Sequence, residues 1–373
     1  MLICSNTLSV RRFILLIVFA LLIDFAGASR CQAAEVGTPL SIPAILIDSP
    51  ETSILIDATR AGQRVVAVGE RGIIVFSDDN GGTWRQAKVP VSVTLTAVAF
   101  PTPQKGWATG HWGVVLHSKD GGETWQVQLD GRAAAALELK AAEAETIPLE
   151  SPVVGDGGRL TAARWLVEDG PDKPFMDLYF MNDKQGFVVG AYGLFFGTED
   201  GGETWHSCMG RVENPAGSHF YAIDGNTKTL LIVGERGFIA RSADDGRNFK
   251  IVPSPAKATF FAVHVTSANH VFVGGMEGKA FRSDDSGVTF LPIKFPLQTS
   301  VNAIQKIANG RILYATQNGR LFTSSGGSDL VTPLKMPPGA PLTSVVQSPD
   351  GSLLTVGLAG VGSIPSTATA NTK

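Results

Sequence analysis

The chain has 373 residues, 31 of them basic and 34 acidic, for a net charge of −3. Charged residues make up 17 % and hydrophobic residues 44 %, a balance that excludes an intrinsically disordered chain and, lacking clustered Lys and Arg, argues against a nucleic-acid partner. Glycine, at 42 residues, exceeds the ordinary share of about 7 % without a collagen period, so many tight turns between short strands are expected.

The N-terminal segment reads as an export signal. Arg11 and Arg12 precede an unbroken apolar run over 13–23. That run is too short to span a bilayer, which takes about 20 residues, but has the length of a signal-peptide core. Small residues follow, placing cleavage after Ala28, Ala33 or Ala34, with 1–33 taken as the signal peptide and 34–373 as the mature chain. Its removal takes away Arg11, Arg12, Arg30 and Asp24, so the net charge moves from −3 to −5. Cys4 and Cys31 go with it, and Cys208 is left alone with no disulfide partner. Stability must then come from a large core, which a chain of this length can build. The mature protein is expected to be soluble and monomeric in the periplasm, or in a thylakoid-lumen-like compartment of a photosynthetic host.

A cassette of about 41 residues organises the rest. An apolar strand ends in Gly-x-x-Gly, a second strand follows, and then Ser/Thr-x-Asp-x-Gly-x-Thr-Trp/Phe. The first copy runs Gly69-Glu70-Arg71-Gly72, then Ser77 to Trp84; the second has Gly110-His111-Trp112-Gly113, then Ser118 to Trp125. Gly190-Ala191-Tyr192-Gly193 precedes Thr198 to Trp205, Gly234 to Gly237 precedes Ser242 to Phe249, and Gly275 to Gly278 precedes Ser283 to Phe290. Two weaker copies begin at Thr316 and Gly357, so the starts fall at 69, 110, 190, 234, 275, 316 and 357. Seven copies at this period, a length that holds four short strands, predict a seven-bladed β-propeller. The last copy lacks a fourth strand, and Leu40–Ile47 is expected to supply it and seal the ring.

The aspartates are read first as turn formers, because Ser/Thr and Asp side chains accept backbone N–H bonds and the glycines supply positive φ. Five of them spread around a ring cannot be one active site. This motif is the Asp-box, or BNR, repeat. Together with the Gly-x-x-Gly turns and the export signal it resembles the photosystem II stability/assembly factor family over roughly 50–360. The resemblance implies an exported seven-bladed scaffold that binds a membrane or envelope protein and catalyses nothing, with no cofactor and no metal.

The competing class is a carbohydrate-active propeller, a sialidase-like glycosidase or a lectin. Sialidase chemistry needs an arginine cluster, a Tyr nucleophile paired with Glu, and an acid, but Ser41-Ile42-Pro43 lacks the expected arginine. Tyr179, Tyr221 and Tyr314 lie in apolar strands, where core or interblade packing is expected. The six histidines show no His-x-x-x-His spacing for zinc. A hydrolase should show two facing carboxylates, or the arginine and Glu–Tyr set, in a deep central pocket. A scaffold should show a broad patch and no strongly perturbed carboxylate pair.

The one interruption is a helical insertion at 131–173 between the second and third repeats. Arg132 to Glu145 is rich in helix formers, Gly155 to Gly158 is a break, and Leu160 to Val167 is a second helix. It reads either as a hairpin packed on its own propeller or as a partner-docking element. In an up-down-up-down blade the insertion and the Gly-x-x-Gly turns share one end of the ring. Glu70, Arg71, His111, Trp112, Tyr192, Glu235, Arg236, Glu277 and Asn318 are therefore the candidate partner-binding residues.

Overall fold

Each repeat folds into one antiparallel sheet in the computed structural model, which describes residues 37–145, 158–266, 270–325, 327–337 and 339–366. The expected signal peptide, 1–33, lies outside the described residues. The first blade is β1 (Leu55–Ala61), β2 (Arg64–Gly69), β3 (Ile74–Ser77) and β4 (Arg85–Gln86). The second is β5 (Leu95–Ala99), β6 (Gly106–Gly110), β7 (Val115–Ser118) and β8 (Gln126–Leu129). After the helices α1 (Gly131–Ala144) and α2 (Gly158–Asp169) comes the third, β9 (Phe175–Phe180), β10 (Gly186–Gly190), β11 (Phe195–Thr198) and β12 (His206–Ser207). The fourth is β13 (Phe220–Gly225), β14 (Leu230–Gly234), β15 (Ile239–Ser242) and β16 (Lys250–Ile251). The fifth is β17 (Phe260–Val265), β18 (Val271–Gly275), β19 (Ala280–Ser283) and β20 (Leu291–Ile293). The sixth is β21 (Val301–Lys306), β22 (Ile312–Thr316), β23 (Leu321–Ser324) and β24 (Thr332–Pro333), and the seventh has only β25 (Leu342–Gln347), β26 (Leu353–Gly357) and β27 (Gly360–Ile364). The chain is thus a seven-bladed propeller with a helical insertion after its second blade.

The second strand of every blade is buried along most or all of its length, from Val65–Gly69 to Leu353–Gly357. It is packed on both faces by neighbouring blades, which is why it reads as a continuous apolar run rather than an alternating one. Seven apolar clusters fill the spaces between blades, one per interface. The aromatic that closes each aspartate hairpin enters the preceding interface: Trp125 is 4 % exposed and Phe249 1 %.

The aspartates do what a turn former does. Asp79 accepts from the Thr83 backbone N–H at 2.8 Å and the Thr83 hydroxyl at 2.7 Å, while Ser77 Oγ accepts from Gly81 N at 2.8 Å. The same set recurs at Asp120, Asp200 and Asp285, and at Asp244 with the Asn248 side-chain amide donating in place of the threonine hydroxyl.

Ring closure departs from the expectation. Leu40–Ile47 forms no strand and does not pair with the seventh blade. It runs instead beside the outer edge of the first, where Ala44 N donates to Val89 O at 3.1 Å and Ile47 N to Gln86 Oε1 at 3.0 Å. Gln86 Nε2 returns a bond to Ile45 O at 3.0 Å. Pro43 has no N–H to give a ladder, and a competing site on β4's own side-chain amide captures the segment. The ring closes through the inner strands, β1 against β25, where Thr343 Oγ1 donates to Leu55 O at 2.8 Å.

The insertion is docked rather than free. Asp130 caps α1 by accepting from Arg132 N and Ala133 N, both at 2.9 Å. Ala134, Ala135 and Leu166 join the core cluster between the second and third blades. Glu138, 1 % exposed, pairs with Arg159 of α2 at 2.8 and 2.9 Å and also binds the Ser207 hydroxyl on β12. The expected break over 155–157 lies outside the described residues, and α2 starts at Gly158.

Candidate functional site

Two features could carry function: the face bearing the Gly-x-x-Gly turns and the channel down the ring axis. The turns are short 3-10 segments whose middle residue has left-handed backbone, with Arg71 at φ 53°, Trp112 at 62°, Tyr192 at 58°, Arg236 at 54° and Glu277 at 57°. Side chains rarely accept this conformation, and it costs on the order of 1 kcal/mol or more per non-glycine residue. The chain places large functional side chains there in five successive blades. Arg71, Tyr192, Arg236 and Glu277 are exposed, whereas Trp112 is half-buried and packs against the interface of the first two blades. The seventh blade differs, because Gly357 pairs directly with Gly360 and the turn is a two-residue hairpin.

The candidate residues do not form one patch. Tyr192, Glu235 and Arg236 come together over the third and fourth blades around His219. Tyr192 N donates to His219 Nδ1 at 2.9 Å, and the two rings meet edge to face at 4.8 Å. Glu235 lies 3.9 Å from His219 Nε2 and 3.3 Å from Arg236 Nε. Lys173, at the end of the insertion, stands 5.9 Å above the Tyr192 ring. Glu70, Arg71, His111 and Glu277 sit apart on their own turns, and Asn318 accepts from the Thr316 hydroxyl within its turn at 2.6 Å. Sequence reasoning missed His219 and Lys173. Both stand on fourth-to-first connections, the topology that already placed the insertion at this end. The insertion does begin here: a side chain on Gly113 would lie 2.6 Å from Gly131 Cα.

The axial channel encloses about 580 Å³ between the inner strands. Its wall includes Tyr179 and Tyr221, which also pack between blades as expected, Tyr179 against the cluster of the third and fourth blades and Tyr221 edge to face with Phe261 of the fifth at 5.3 Å, while Tyr314 is in the core. Its acids depart from the scaffold expectation. Burial pushes the Asp57 carboxyl up and the Asp177 carboxyl well up, the charge of Asp57 adding to the second. Both bridge blades: Asp57 Oδ2 accepts from Val98 N at 3.0 Å and Asp177 Oδ2 from Ile223 N at 2.9 Å. Asp224 does the same for Val265 N at 2.8 Å, and His264 Nδ1 lies 3.1 Å away. These carboxyls stitch inner strands together. The channel wall carries neither arginine nor glutamate, so it holds neither the carboxylate-binding cluster nor the Glu–Tyr pair of sialidase chemistry.

Among the described residues no group of three or more His, Cys, Asp or Glu could hold a metal ion, and no helix is long and apolar enough to cross a membrane. Cys208 is 1 % exposed and burial pushes its thiol up to about 12, which makes it inert.

Comparisons with known proteins come down on the fold and the family. The profile of the family described as "Photosynthesis system II assembly factor YCF48" matches residues 77–143 and 160–322, more than half of the chain. A search of curated proteins finds no significant match. Among solved structures, one titled "YCF48 bound to D1 peptide" superposes with a TM-score of 0.59 at 16 % identity, covering 86 % of this chain and 98 % of that one. YCF48 from Cyanidioschyzon merolae gives 0.58 at 14 % identity, covering 84 % and 96 %. The WD40 repeats of RRP9 give 0.60 at 11 % identity, covering 88 % and 99 %, so superposition at this level carries the architecture alone.

Proposed function

The chain belongs to the YCF48 photosystem II assembly-factor family, and on that premise we propose that it is an exported, non-enzymatic scaffold that docks a membrane or envelope protein on its Gly-x-x-Gly face. One observation carries the reading: large Arg, Trp, Tyr and Glu side chains are held in left-handed backbone on that face in five blades. Strained positions cluster where a side chain must be presented in one direction, and Arg and Tyr are the types that anchor interfaces. A relative in complex with a D1 peptide supports the view that such a ring takes up a polypeptide segment. The signal-like segment supports delivery to the periplasm or a lumen-like compartment, with the ring acting as a monomer.

The test is recovery of the partner from host membranes by the tagged protein, followed by mass spectrometry. Arg71→Ala with Arg236→Ala should lower recovery at least tenfold at equal folded concentration, about 1.4 kcal/mol. Arg247→Ala, exposed on the opposite face, should leave it unchanged. Equal recovery by the double variant and the native protein overturns the choice of face.

A further inference from the structure

We propose that the seventh blade is a strand-accepting site: an extended segment of a partner polypeptide adds to β27 as its fourth strand. The six other blades show what belongs at that place. Their fourth strands run antiparallel to the third, and the residue that ends or follows each one turns a small or medium apolar side chain inward. Ala87 is 1 % exposed, Leu129 3 %, Cys208 1 %, Ile293 4 % and Leu334 5 %. In four blades that residue donates its N–H to the third strand, Ala87 to Ile74 O, Cys208 to Phe195 O, Val252 to Ile239 O and Leu334 to Leu321 O, each at 2.8–2.9 Å. The chain then pairs in parallel with the next blade's hairpin, as Lys88 does with Thr124, Val212 with Phe249 and Lys294 with Leu330.

Among the described residues nothing makes these contacts between the seventh blade and the first. Val361 pairs with Val356 as Ile74 pairs with Val68, so Val361 and, two residues on, Ser363 turn their N–H and C=O groups outward. Across the gap stands Trp84, half-buried where Trp125 and Trp205 are 4 % and 7 % exposed. Pro50–Thr52 covers only the Gly360 end. Among the described residues, nothing beyond Pro50–Thr52 defends this edge. Natural sheet edges carry charges, prolines or bulges that discourage pairing, and Gly360-Val361-Gly362-Ser363-Ile364 has none of them.

The geometry also selects the occupant. The sixth and first blades each have a fourth strand, so β27 is recessed by one strand spacing, about 4.8 Å. The flanking blades of two rings would collide before two such edges met, which excludes a second copy. A single extended segment fits, the fourth strands of the other blades being two to four residues long, with a small or medium aliphatic side chain directed inward. Backbone bonds would supply affinity and that side chain selectivity. The exposed Ile45, Leu46 and Ile47, at 75 %, 67 % and 41 %, lie on the segment between β4 and Pro50 and add an apolar lip. The proposal rests on the scaffold reading only in taking a partner polypeptide as the source.

The probe is a fluorescein-labelled peptide copying residues 124–130, which contain the chain's own longest fourth strand, read by anisotropy with the full protein. Saturable binding is expected, weakened tenfold or more by Ser363→Pro, which removes an outward N–H and leaves the bonds to β26. Arg71→Ala with Arg236→Ala should leave peptide binding unchanged, so failure of the face and failure of the slot are distinguishable. In the unsubstituted protein the Val361 and Ser363 amides should gain hydrogen-exchange protection on peptide addition, a readout independent of how the proline variant folds. No saturable binding, equal binding by Ser363→Pro, or unprotected amides overturns the site. A tenfold gain in affinity on removing residues 367–373 overturns the partner as occupant in favour of the chain's own tail, and a dimer abolished by Ser363→Pro overturns it in favour of a second copy.

Discussion

On the hairpin face of the ring the left-handed position after each motif aspartate holds Asn80, Gly121, Gly201, Asp245 or Ser286. On the turn face the corresponding strained position holds Arg71, Trp112, Tyr192, Arg236 or Glu277. The backbone makes the same demand at both ends. One end answers it with glycine and with short polar side chains that can bond back to their own turn. The other answers it with large side chains, of which Trp112 packs against the interface of the first two blades and Arg71, Tyr192, Arg236 and Glu277 are exposed. Turn stability explains the first choice and not the exposed Arg, Tyr and Glu of the second, and the proposed docking face supplies a reason for those.

Among the described residues the helices are the one addition to the turn end with no counterpart opposite, and the largest expected effect tests whether they belong to the proposed docking face or to the flank. Glu138→Ala leaves the Arg159 guanidinium without its main partner in a mostly buried site and should destabilise the protein by about 3 kcal/mol, read by chemical denaturation. If partner capture is unchanged at equal folded concentration, the helices are a brace for the third blade. If capture falls with them, they extend the docking face.

Asp120→Ala should cost less, about 1 kcal/mol, because the N–H groups of Glu123 and Thr124 that it releases can reach water. Capture should not change. The acids of the hairpins and of the channel should also respond to pH with opposite signs. Bonds from the Thr83 backbone and hydroxyl hold Asp79 down at about 2. In Asp285 burial pulls upward, but the Thr289 bonds outweigh it and the value is again about 2. Folded values below the unfolded ones mean a contribution present above about pH 4 and lost as pH falls toward 2. Asp57 and Asp177 have raised folded values, so theirs is full below about pH 4 and is lost as pH rises from there toward the folded values. Asp177→Asn should therefore flatten the fall of stability on the alkaline side of pH 4, measured by urea midpoints across pH.

The smallest effect has the opposite sign. Arg236→Gly relieves left-handed strain and should leave stability unchanged or raise it by up to about 1 kcal/mol, while weakening capture. A variant that loses stability without losing capture would erase the distinction between the two faces.

What the sequence disclosed was what is local. Gly-x-x-Gly, the aspartate hairpins and the helix-forming run at 132–145 each encode a short-range geometry, and the blades and helices stand where those signals put them. Leu40–Ile47 was misassigned because an apolar run does not say which sheet edge it will lie against. Gln86 and Val89, far off in sequence, decided that. Tyr179 and Tyr221 pack between blades as their apolar strands imply, but that they also line the channel is not legible, because an inner strand is apolar on the side facing its blade and nearly so on the side facing the channel. The clustering of Tyr192, Lys173, His219 and Glu235 needed the third and fourth blades side by side, and no period in the chain announces it.

The stitching of the inner strands has a consequence for how the ring is made. Asp57 reaches Val98 across 41 residues and Asn302 reaches Leu342 across 40, so those seams can form as soon as neighbouring blades exist. Thr343 reaches Leu55 across 288 residues. Closing that loop costs about 1.7 kcal/mol more chain entropy than closing a neighbouring seam, and it must wait until every other blade is in place. Long-range contacts of this kind slow folding. The seam between the last blade and the first should thus be the final one to set during folding and the first to admit a protease when the native ring breathes.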